Sequence, residues 1–303
     1  MNDGAGVPIE GGQAFAAGER VLLVDSKGRR NLVRLVAGAK HHSHAGVVDL
    51  DDAIGHPEGT VLRSEKGARF VAVRPTLSDV IFAMPRGAQV IYPKDIGAIL
   101  MAGDIRPGDR VLEAGVGSGA LSMAMLRVGA RVIGYEIRED FASHAKKSVA
   151  EALGEEVPYE VQIKDVYEGI SDSNLDRIVL DLPEPWRVVP HAEESLLPGG
   201  ILVCYLPSIT QVTELRRALE RSRFGLVRTF ETLERDWHIA GRAVRPEHRM
   251  VGHTGFLTVA RLLAPVLEDE GNLPADHAGA EDEYTASSTE PGRDQPDGPA
   301  EQL

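Results

Sequence analysis

Hydrophobic and polar positions alternate in two different ways along the 303 residues of this chain. Up to about position 75 the apolar runs are short, and turn sequences such as Asp25-Ser26-Lys27-Gly28 separate them, which predicts a small antiparallel β module. The predicted strands of this module cover 20–24, 31–35, 60–63 and 69–73. From Pro107 onward, apolar runs of strand length alternate with segments of helical period. This second pattern predicts an α/β array built on a parallel sheet.

The periodicity predicts the elements of the α/β array. Strands are expected over 110–113, 131–136, 159–164, 176–182 and 201–206, and helices over 119–128, 139–153, 186–197 and 210–222. Two further β runs, 225–233 and 254–262, close the array. Segment 76–109 links the two parts and carries a helix over 95–101, with Asp95 placed to cap it. The apolar run 177–180 is typical of a central strand buried on both faces.

Charge and composition then divide the chain. Its net charge is −13, but residues 266–303 hold 11 acidic residues and one Arg, a net of −10, which leaves −3 for residues 1–265. The acidic segment has too few apolar residues to offset its conformational entropy and is predicted to be disordered. We expect a flexible N-terminus over 1–15, a small β domain over 16–75, a catalytic domain over 76–265 and a disordered acidic tail over 266–303. The nearly neutral folded part does not exclude a nucleic-acid partner.

A glycine-rich stretch, Glu113-Ala114-Gly115-Val116-Gly117-Ser118-Gly119, follows the first strand of the array and leads into the helix that begins near Leu121. Glycines permit positive φ angles and let a ligand lie directly against the backbone. The start of the following helix offers unpaired N–H groups and the positive end of the helix dipole. The stretch therefore predicts a site for a nucleotide-like ligand, although a glycine-rich turn without a ligand has the same pattern.

Two kinds of nucleotide fit this stretch. Gly115-x-Gly117-x-x-Ala120, with Glu136 at the end of the second strand, matches the fingerprint of dinucleotide-binding proteins. However, the acid before the loop, the third glycine and the later Asp165 resemble the S-adenosylmethionine site of class I methyltransferases. That resemblance implies that Glu113 faces the methionine amino group, Glu136 the ribose and Asp165 the adenine edge.

Four acidic residues share one placement in the predicted sheet. Glu113, Glu136, Asp165 and Asp181 all fall at or just after strand ends, and ligands of parallel sheets bind beyond the carboxyl ends of the strands. We therefore expect the four side chains to form one site. Asp181 opens the stretch Asp181-Leu182-Pro183-Glu184-Pro185-Trp186. It is placed to accept a hydrogen bond from an amine or to cap a following helix, whereas Trp186 either stacks on a base or fills the core.

Five motifs in register resemble the tRNA (adenine-N1)-methyltransferases that modify adenosine 58 of the T-loop, and the match runs in order from about Gly18 to Arg261. The motifs are Met84-Pro85-Arg86-Gly87-x-Gln89-Val90-Ile91-Tyr92-Pro93-Lys94-Asp95, Glu113-Ala114-Gly115-x-Gly117-Ser118-Gly119, Asp181-Leu182-x-x-Pro185-Trp186, Tyr205-Leu206-Pro207-x-Ile209-Thr210-Gln211-Val212 and Gly252-His253-Thr254-x-Phe256-Leu257. The resemblance implies an α/β, Rossmann-like class I methyltransferase domain with a small N-terminal antiparallel β domain. It also implies S-adenosylmethionine as the methyl donor, tRNA as the substrate and a homotetramer.

The resemblance also implies the site residues, with Asp181 as the catalytic residue at the target base. The expected cofactor-binding residues are Gln89, Glu113, Gly115, Gly117, Ser118, Gly119, Ala120, Leu121, Glu136, Phe141, Asp165 and Asp181. Phe141 is a departure, because family members often carry His five residues after the ribose-binding acid. For tRNA, the candidate phosphate contacts are basic residues: Arg242, Arg245, His248, Arg249, His253 and the β-module residues Arg29, Arg30, Arg63, Lys66, Arg69 and Arg74.

Other residues limit the alternatives. His41-His42-Ser43-His44 lacks the Cys pair or HExxH spacing of a zinc site, so we expect a polar loop at a subunit or RNA contact rather than a metal. Cys204 is the single cysteine and is expected in the core, which fits a reducing cytoplasm. The sequence has no apolar run of membrane-spanning length. The remaining alternatives are a methyltransferase of another RNA, a protein or a small molecule, a non-catalytic RNA-binding subunit, and an NAD oxidoreductase.

Overall fold

The N-terminal part of the protein folds as an antiparallel sheet. A computed structural model describes residues 13–84 and 90–265. The N-terminal strands are β1 (Arg20–Asp25), β2 (Arg30–Arg34), β3 (Lys40–Ser43), β4 (Gly46–Asp49), β5 (Val61–Arg63) and β6 (Arg69–Val73). One four-stranded sheet has the order β2-β1-β6-β5, and β3 pairs with β4 in a separate hairpin. Leu23, Leu62 and Phe70 are buried in a core that belongs to this part alone.

The α/β array follows two short helices. Its helices and strands, with those two helices first, are α1 (Leu77–Phe82), α2 (Pro93–Ala102), β7 (Arg110–Ala114), α3 (Ala120–Arg127), β8 (Arg131–Glu136), α4 (Glu139–Leu153), β9 (Tyr159–Ile163), β10 (Leu175–Leu180), α5 (Val189–Ser195), β11 (Leu196–Leu206), α6 (Ile209–Leu219), β12 (Phe224–Phe230), β13 (Trp237–Ala240), β14 (Ala243–Pro246) and β15 (Phe256–Leu262). Seven of the strands form one sheet of order β12-β15-β11-β10-β7-β8-β9. β7 to β11 pair in parallel, whereas β15 and β12 pair antiparallel to their neighbours. The predicted fold class is therefore confirmed.

Helices cover both faces of the large sheet, so its central strands are apolar on both sides. On one face, Leu112 and Ile178 pack in a buried cluster with residues of α5 and α6. On the other, Val111 and Val179 pack with residues of α2, α3 and α4. We call these the α5 face and the α3 face of the sheet.

The strand order reverses between β7 and β10. The chain passes from β7 outward to β8 and β9, then returns to the opposite side of β7 with β10. Sheets of this kind bind ligands beyond the carboxyl ends of the strands at such a reversal. The glycine-rich stretch follows β7 and Asp181 follows β10, so both lie at this point.

Two local predictions around helix starts were wrong. Helix α2 begins at Pro93, and Tyr92 rather than Asp95 occupies the N-cap position. Proline suits the first helical position because its φ is already helical and its missing N–H has no partner there. The predicted helix 186–197 is instead a 3₁₀ turn at Pro185–Arg187 and the short helix α5, after which β11 begins.

Two hairpins differ from the sequence prediction. His41 and His42 lie on strand β3 rather than in the predicted polar loop, and the hairpin closes at Gly46, whose φ is +108°. The hairpin β13–β14 and helix α1 were not predicted. The domain boundaries at 15, 75 and 265 stay predictions, and Gln89 and the tail 266–303 lie outside the described residues.

Candidate active site

The turn after β7 is held against the end of β10. Gly115 has φ +82°, and a Cβ atom built there would lie 2.2 Å from the carbonyl oxygen of Asp181. Because that neighbour is backbone, only glycine fits at this position. The backbone N–H of Asp181 donates to the carbonyl of Ala114 at 3.0 Å. The glycine turn and Asp181 are therefore in direct backbone contact.

Strand register places three of the predicted acids on one face. Glu113 pairs with Val179 on one side and with Gly134 on the other. Side chains alternate along a strand, so Glu136 and Asp181, each two residues beyond a partner of Glu113, project on the same side of the sheet. That side is the α3 face, since Val179 belongs to its cluster. Three carboxylates thus project from one face, at the edge where the strand order reverses.

Glu113 is the most deeply buried of the three, with 2% of its surface exposed. Its Oε2 accepts a hydrogen bond from the Ser122 hydroxyl on α3, and Ser122 Oγ lies 3.0 Å from the Tyr159 hydroxyl. Burial is the largest cause and, together with the charges of Asp181 and Glu136, raises the pKa of Glu113 to about 8 against the opposing hydrogen bond from Ser122. At neutral pH this carboxyl group is mostly protonated.

Glu136 ties the glycine turn to the second strand of the array. It is 7% exposed, and its two oxygens accept backbone hydrogen bonds from different loops. The N–H of Gly117 donates to Oε2 at 3.1 Å, and the N–H of Arg138 donates to Oε1 at 3.0 Å. A carboxylate can accept about four hydrogen bonds, so both oxygens retain capacity for ribose hydroxyls.

Asp181 is partly buried beside this cluster. Burial raises the pKa of its carboxyl group to about 7. A carboxyl group that titrates near neutral pH in a cleft is typical of functional sites. We call Glu113, Glu136 and Asp181 the acid cluster.

The other predicted cofactor residues lie around the glycine turn. Asp165 is exposed beyond the end of β9, and its side chain caps a 3₁₀ turn by accepting from the N–H of Tyr167 at 2.9 Å. The Phe141 ring lies 3.8 Å beneath the guanidinium of Arg138. Ser118 precedes α3, and its Oγ accepts weakly from Ala120 N–H at 3.4 Å.

Glycine also begins the helix that follows the turn. Gly119 occupies the N-cap position with φ +80° and supplies no side-chain cap. Ala120 and Leu121 are each 3% exposed, so their side chains belong to the core and offer no surface to a ligand.

Sequence reasoning missed two sets of polar residues. Ser122 and Tyr159, which hold Glu113, lie on separate elements, and no local spacing signals their meeting. Lys94 was noted only within a motif and Asp95 was predicted as a helix cap, yet Asp95 is fully buried. The periodicity of helix α2 gave no reason to expect a charged group in its core.

The remaining candidates divide between core and surface. Cys204 is 1% exposed, which confirms its core position, and Trp186 packs against the α5-face cluster. Among the candidate tRNA contacts, Arg242 and Arg249 are exposed. His253 is bonded through both ring nitrogens, to Glu231 at 2.9 Å and to the Pro207 carbonyl at 3.0 Å.

Several β-module cations are paired. Arg29 lies 2.6 Å from Asp25, Arg30 lies 2.5 Å from Asp79, and Arg74 bonds two glutamates. Within residues 13–84 and 90–265 no group of three or more His, Cys, Asp or Glu side chains is arranged to hold a metal ion. In the same residues, no helix has the length and apolarity needed to cross a membrane.

Comparison with known proteins places this site in a family. Residues 70–245 match the family model of the tRNA methyltransferase complex GCD14 subunit, and residues 14–62 match the TrmI-like N-terminal model. The tRNA (adenine(57)-N(1)/adenine(58)-N(1))-methyltransferase TrmI of Methanocaldococcus jannaschii is 39% identical, over 82% of this chain and 97% of its own length. The tRNA (adenine(58)-N(1))-methyltransferase TrmI of Thermus thermophilus is 38% identical, over 80% of this chain and 96% of its own.

Solved structures agree with this placement. The tRNA (m1A58) methyltransferase TrmI of Aquifex aeolicus superposes with a TM-score of 0.75 at 29% identity, over 84% of this chain and all of that one. A SAM-dependent O-methyltransferase of Thermotoga maritima superposes with a TM-score of 0.80 at 31% identity, over 84% of this chain and 96% of that one. With one family model spanning residues 70–245 and relatives near 39% identity along most of its length, the chain belongs to the tRNA (adenine-N1)-methyltransferase family.

Proposed function

We propose that this chain transfers a methyl group from S-adenosylmethionine to N1 of adenosine 58 in the T-loop of tRNA. The observation that carries the proposal is the placement of Asp181. Its backbone lies against Gly115, and its side chain projects on the same face as Glu113 and Glu136. The relatives from M. jannaschii and T. thermophilus are named for methylation at this adenosine.

The acid cluster is chemically suited to S-adenosylmethionine, which presents a sulfonium and an ammonium group and supplies an electrophilic methyl. The neighbouring acids raise the pKa of Glu113, and a cation that binds beside the cluster stabilises its ionised form. In this assignment Glu113 lies toward the ammonium, Glu136 holds the ribose hydroxyls and Asp165 faces the adenine. The backbone from Gly115 to Leu121 lies against the cofactor, Phe141 packs at its side, and Gln89 belongs to the predicted contacts.

Asp181 is the residue assigned to the target base. Adenine N1 has an in-plane lone pair, and methylation leaves positive charge on the ring. A carboxylate beside N6 accepts its N–H, orients N1 toward the methyl group and stabilises the developing charge. The raised pKa of Asp181, about 7, means that this carboxylate is only partly ionised at neutral pH until a cation lies beside it.

We assign tRNA affinity to exposed basic residues near the hairpin β13–β14. Arg242 follows β13, and Arg249 follows β14. Both side chains are exposed. Phosphate contacts release counterions, so tRNA affinity should fall steeply as salt rises. A flat salt dependence contradicts this assignment.

We propose a homotetramer as the working assembly, as the family resemblance implies. Light scattering on the purified full chain should give about four times the chain mass of 32.7 kDa. A monomer at micromolar concentration contradicts the proposal without affecting the assigned chemistry.

The test of function is methyl mapping on tRNA. The purified protein is incubated with a tRNA transcript and methyl-labelled S-adenosylmethionine, and nuclease fragments are analysed by mass spectrometry. We expect 1-methyladenosine at position 58 and none in a matched transcript with guanosine at 58. A labelled methyl group at position 57 in addition to position 58 means that the enzyme also methylates the neighbouring nucleotide. A label elsewhere in the RNA, or none, contradicts the proposal, and methylation of hydroxyl groups favours O-methyl transfer instead.

A further inference from the structure

A second group of buried polar residues joins parts of the chain that are far apart in sequence. Lys94 and Asp95 lie in the first turn of α2, Thr232 follows β12, and Thr254 precedes β15. Asp95 is fully buried, and the Lys94 side chain is 9% exposed. With Tyr205, near the end of β11, we call these residues the Lys94–Asp95 cluster.

Every N–H of the Lys94 ammonium has a partner. It donates to Asp95 Oδ1 at 2.7 Å, to the Thr232 carbonyl at 2.8 Å and to the Thr254 hydroxyl at 2.6 Å. An ammonium group has three N–H donors, so these bonds use all of them. The cation is fixed at one point.

The Asp95 carboxylate is equally saturated. Oδ1 accepts from Lys94 and from the Thr232 hydroxyl, and Oδ2 accepts from the Thr254 hydroxyl at 2.6 Å. The fourth acceptor position takes the Tyr205 hydroxyl, at 3.4 Å. A carboxylate accepts about four hydrogen bonds, and the last position on Asp95 makes a long hydrogen bond with the Tyr205 hydroxyl.

Tyr205 is held on its other side by backbone. A Cβ atom built on Gly255 would lie 2.4 Å from Cζ of the Tyr205 ring, so the glycine leaves room for the ring. Thr254, the residue before it, is bonded to Asp95. One cluster therefore fixes the hydroxyl of Tyr205 and the segment against which its ring packs.

Strand register then connects Tyr205 with Asp181. Leu180, the last residue of β10, pairs with Cys204 on β11, and the residues that follow them are Asp181 and Tyr205. Tyr205 belongs to the α3-face cluster, the side toward which Asp181 projects. Burial is the main cause of the raised pKa of Tyr205, and the nearby charge of Asp181 contributes to it.

We propose that Asp95, fixed by Lys94 and Thr254, is a positioning residue for methyl transfer that acts through Tyr205 on the placement of Asp181. The inference rests on the proposed function and deepens it. Asp95 lies behind Tyr205, and its contribution is geometric. Small displacements of a reacting group can cost about 10²-fold in rate. A Tyr205 side chain held in one position next to Asp181 therefore has a large effect on turnover.

The test is a double-mutant cycle read by single-turnover methylation of tRNA by the full chain. Asp95→Asn and Tyr205→Phe should each slow the reaction by about tenfold or more, with tRNA affinity changed less than about twofold. Because Asp95 acts through the Tyr205 hydroxyl, the double variant should be no slower than the slower single variant.

Thr254 supplies a second route if Asp95→Asn does not fold. Thr254→Val should slow the reaction, and Thr254→Ser should restore the rate because it keeps the hydroxyl. The matched control is Thr258→Val in the middle of β15, the strand that follows Thr254. Thr258 is 1% exposed, and the variant removes its hydroxyl, which is bonded to Thr229. This control should lower stability at most and leave the single-turnover rate unchanged.

The outcomes separate the inference from the function on which it rests. If the wild type methylates adenosine 58 while Tyr205→Phe and Thr254→Val keep the wild-type rate, the positioning role is overturned and the proposed function stands. Fully additive effects of Asp95→Asn and Tyr205→Phe also overturn it. If the wild type does not methylate tRNA, both are overturned.

Discussion

Two buried polar clusters lie on the α3 face of the same sheet, and they differ in charge balance. In the Lys94–Asp95 cluster, a cation and an anion are 2.7 Å apart and three hydroxyls complete their hydrogen bonds. In the acid cluster the charges are alike, and Asp181 and Glu136 raise the pKa of Glu113. The first cluster is complete within the chain, whereas the second is suited to a cation from outside.

This contrast gives the clusters different physical roles. A satisfied ion pair fixes geometry, and removing one partner leaves an uncompensated buried charge. A group of buried like charges costs stability and is typical of functional sites. Neutralising a residue of the acid cluster should therefore affect chemistry or binding with little loss of stability, whereas breaking the ion pair should lower stability and, through Tyr205, also slow methyl transfer.

The largest expected effect is that of Asp181→Asn. Removing the charge at the target base should lower turnover at saturating tRNA by about 10²-fold or more, the scale of losing one preorganised electrostatic group. Calorimetry should show S-adenosylmethionine affinity within a few-fold of wild type. The exposed Glu160→Gln is the control and should behave as wild type. Near-normal turnover of Asp181→Asn excludes this role for the residue.

The pH profile sharpens that result. At saturating S-adenosylmethionine the kcat/KM for tRNA reports groups of the cofactor-bound enzyme. It should rise with pH as Asp181 ionises and level off at or below pH 7, because the bound cation lowers the pKa of about 7 that Asp181 has without cofactor. Asp181→Asn should be slow at every pH, without that rise. A wild-type profile that is flat from pH 5.5 to 8.5 speaks against Asp181 as the titrating group.

The next effect is the loss of stability expected for Lys94→Met. The variant leaves the Asp95 carboxylate fully buried without its cation, and breaking such a pair typically costs about 3–5 kcal/mol. Denaturant unfolding measures the change. An unchanged denaturant midpoint in Lys94→Met means that Lys94 does not compensate the buried charge of Asp95.

Glu113→Gln should raise the stability of the protein at alkaline pH, whereas Lys94→Met lowers it. The folded-state pKa of Glu113 is raised to about 8, so its contribution to stability is present below about pH 4.5 and is lost as pH rises through about 8. The variant lacks this loss. Its stability advantage over wild type should therefore be larger at pH 9 than at pH 5 by on the order of 4 kcal/mol. Parallel stability curves between pH 5 and 9 contradict the raised pKa.

The smallest effect concerns His253, beside the Lys94–Asp95 cluster. Its hydrogen bond to Glu231 raises the pKa of the imidazole, and the pair is exposed. The contribution of the His253–Glu231 pair to folding stability is therefore present below about pH 6.5 and is lost as pH rises through the raised pKa of His253. Glu231→Gln should be slightly less stable than wild type at pH 6 and equal to it at pH 9. A difference that is the same at both pH values rejects this role for the ion pair.

The sequence predicted the elements better than their tertiary contacts. Strand β7 and its glycine turn were predicted because buried apolar runs and alternating glycines are local signals. The acids at the strand ends follow from the same pattern, since parallel strands share one carboxyl edge. The bond from Ser122 to Glu113 was not predictable, because it depends on how α3 packs against β7.

The helix start at Pro93 shows a different limit. Asp95 has the chemistry of a cap, and the local signal favoured it. Partners at Thr232 and Thr254, more than 130 residues away, take its oxygens instead. Tertiary hydrogen bonds thus override a local preference, and a single sequence does not show them.

Calorimetry of cofactor binding shows whether the acid cluster receives a cationic cofactor beside Asp181. S-adenosylmethionine and NAD are titrated into the full chain at pH 7 in buffers of different ionisation enthalpy. S-adenosylmethionine should bind and release protons, since a cation lowers the pKa of Glu113 and Asp181, and the release should decrease in Glu113→Gln; NAD should not bind. Binding of NAD alone, or binding of S-adenosylmethionine with no proton release, would contradict the account.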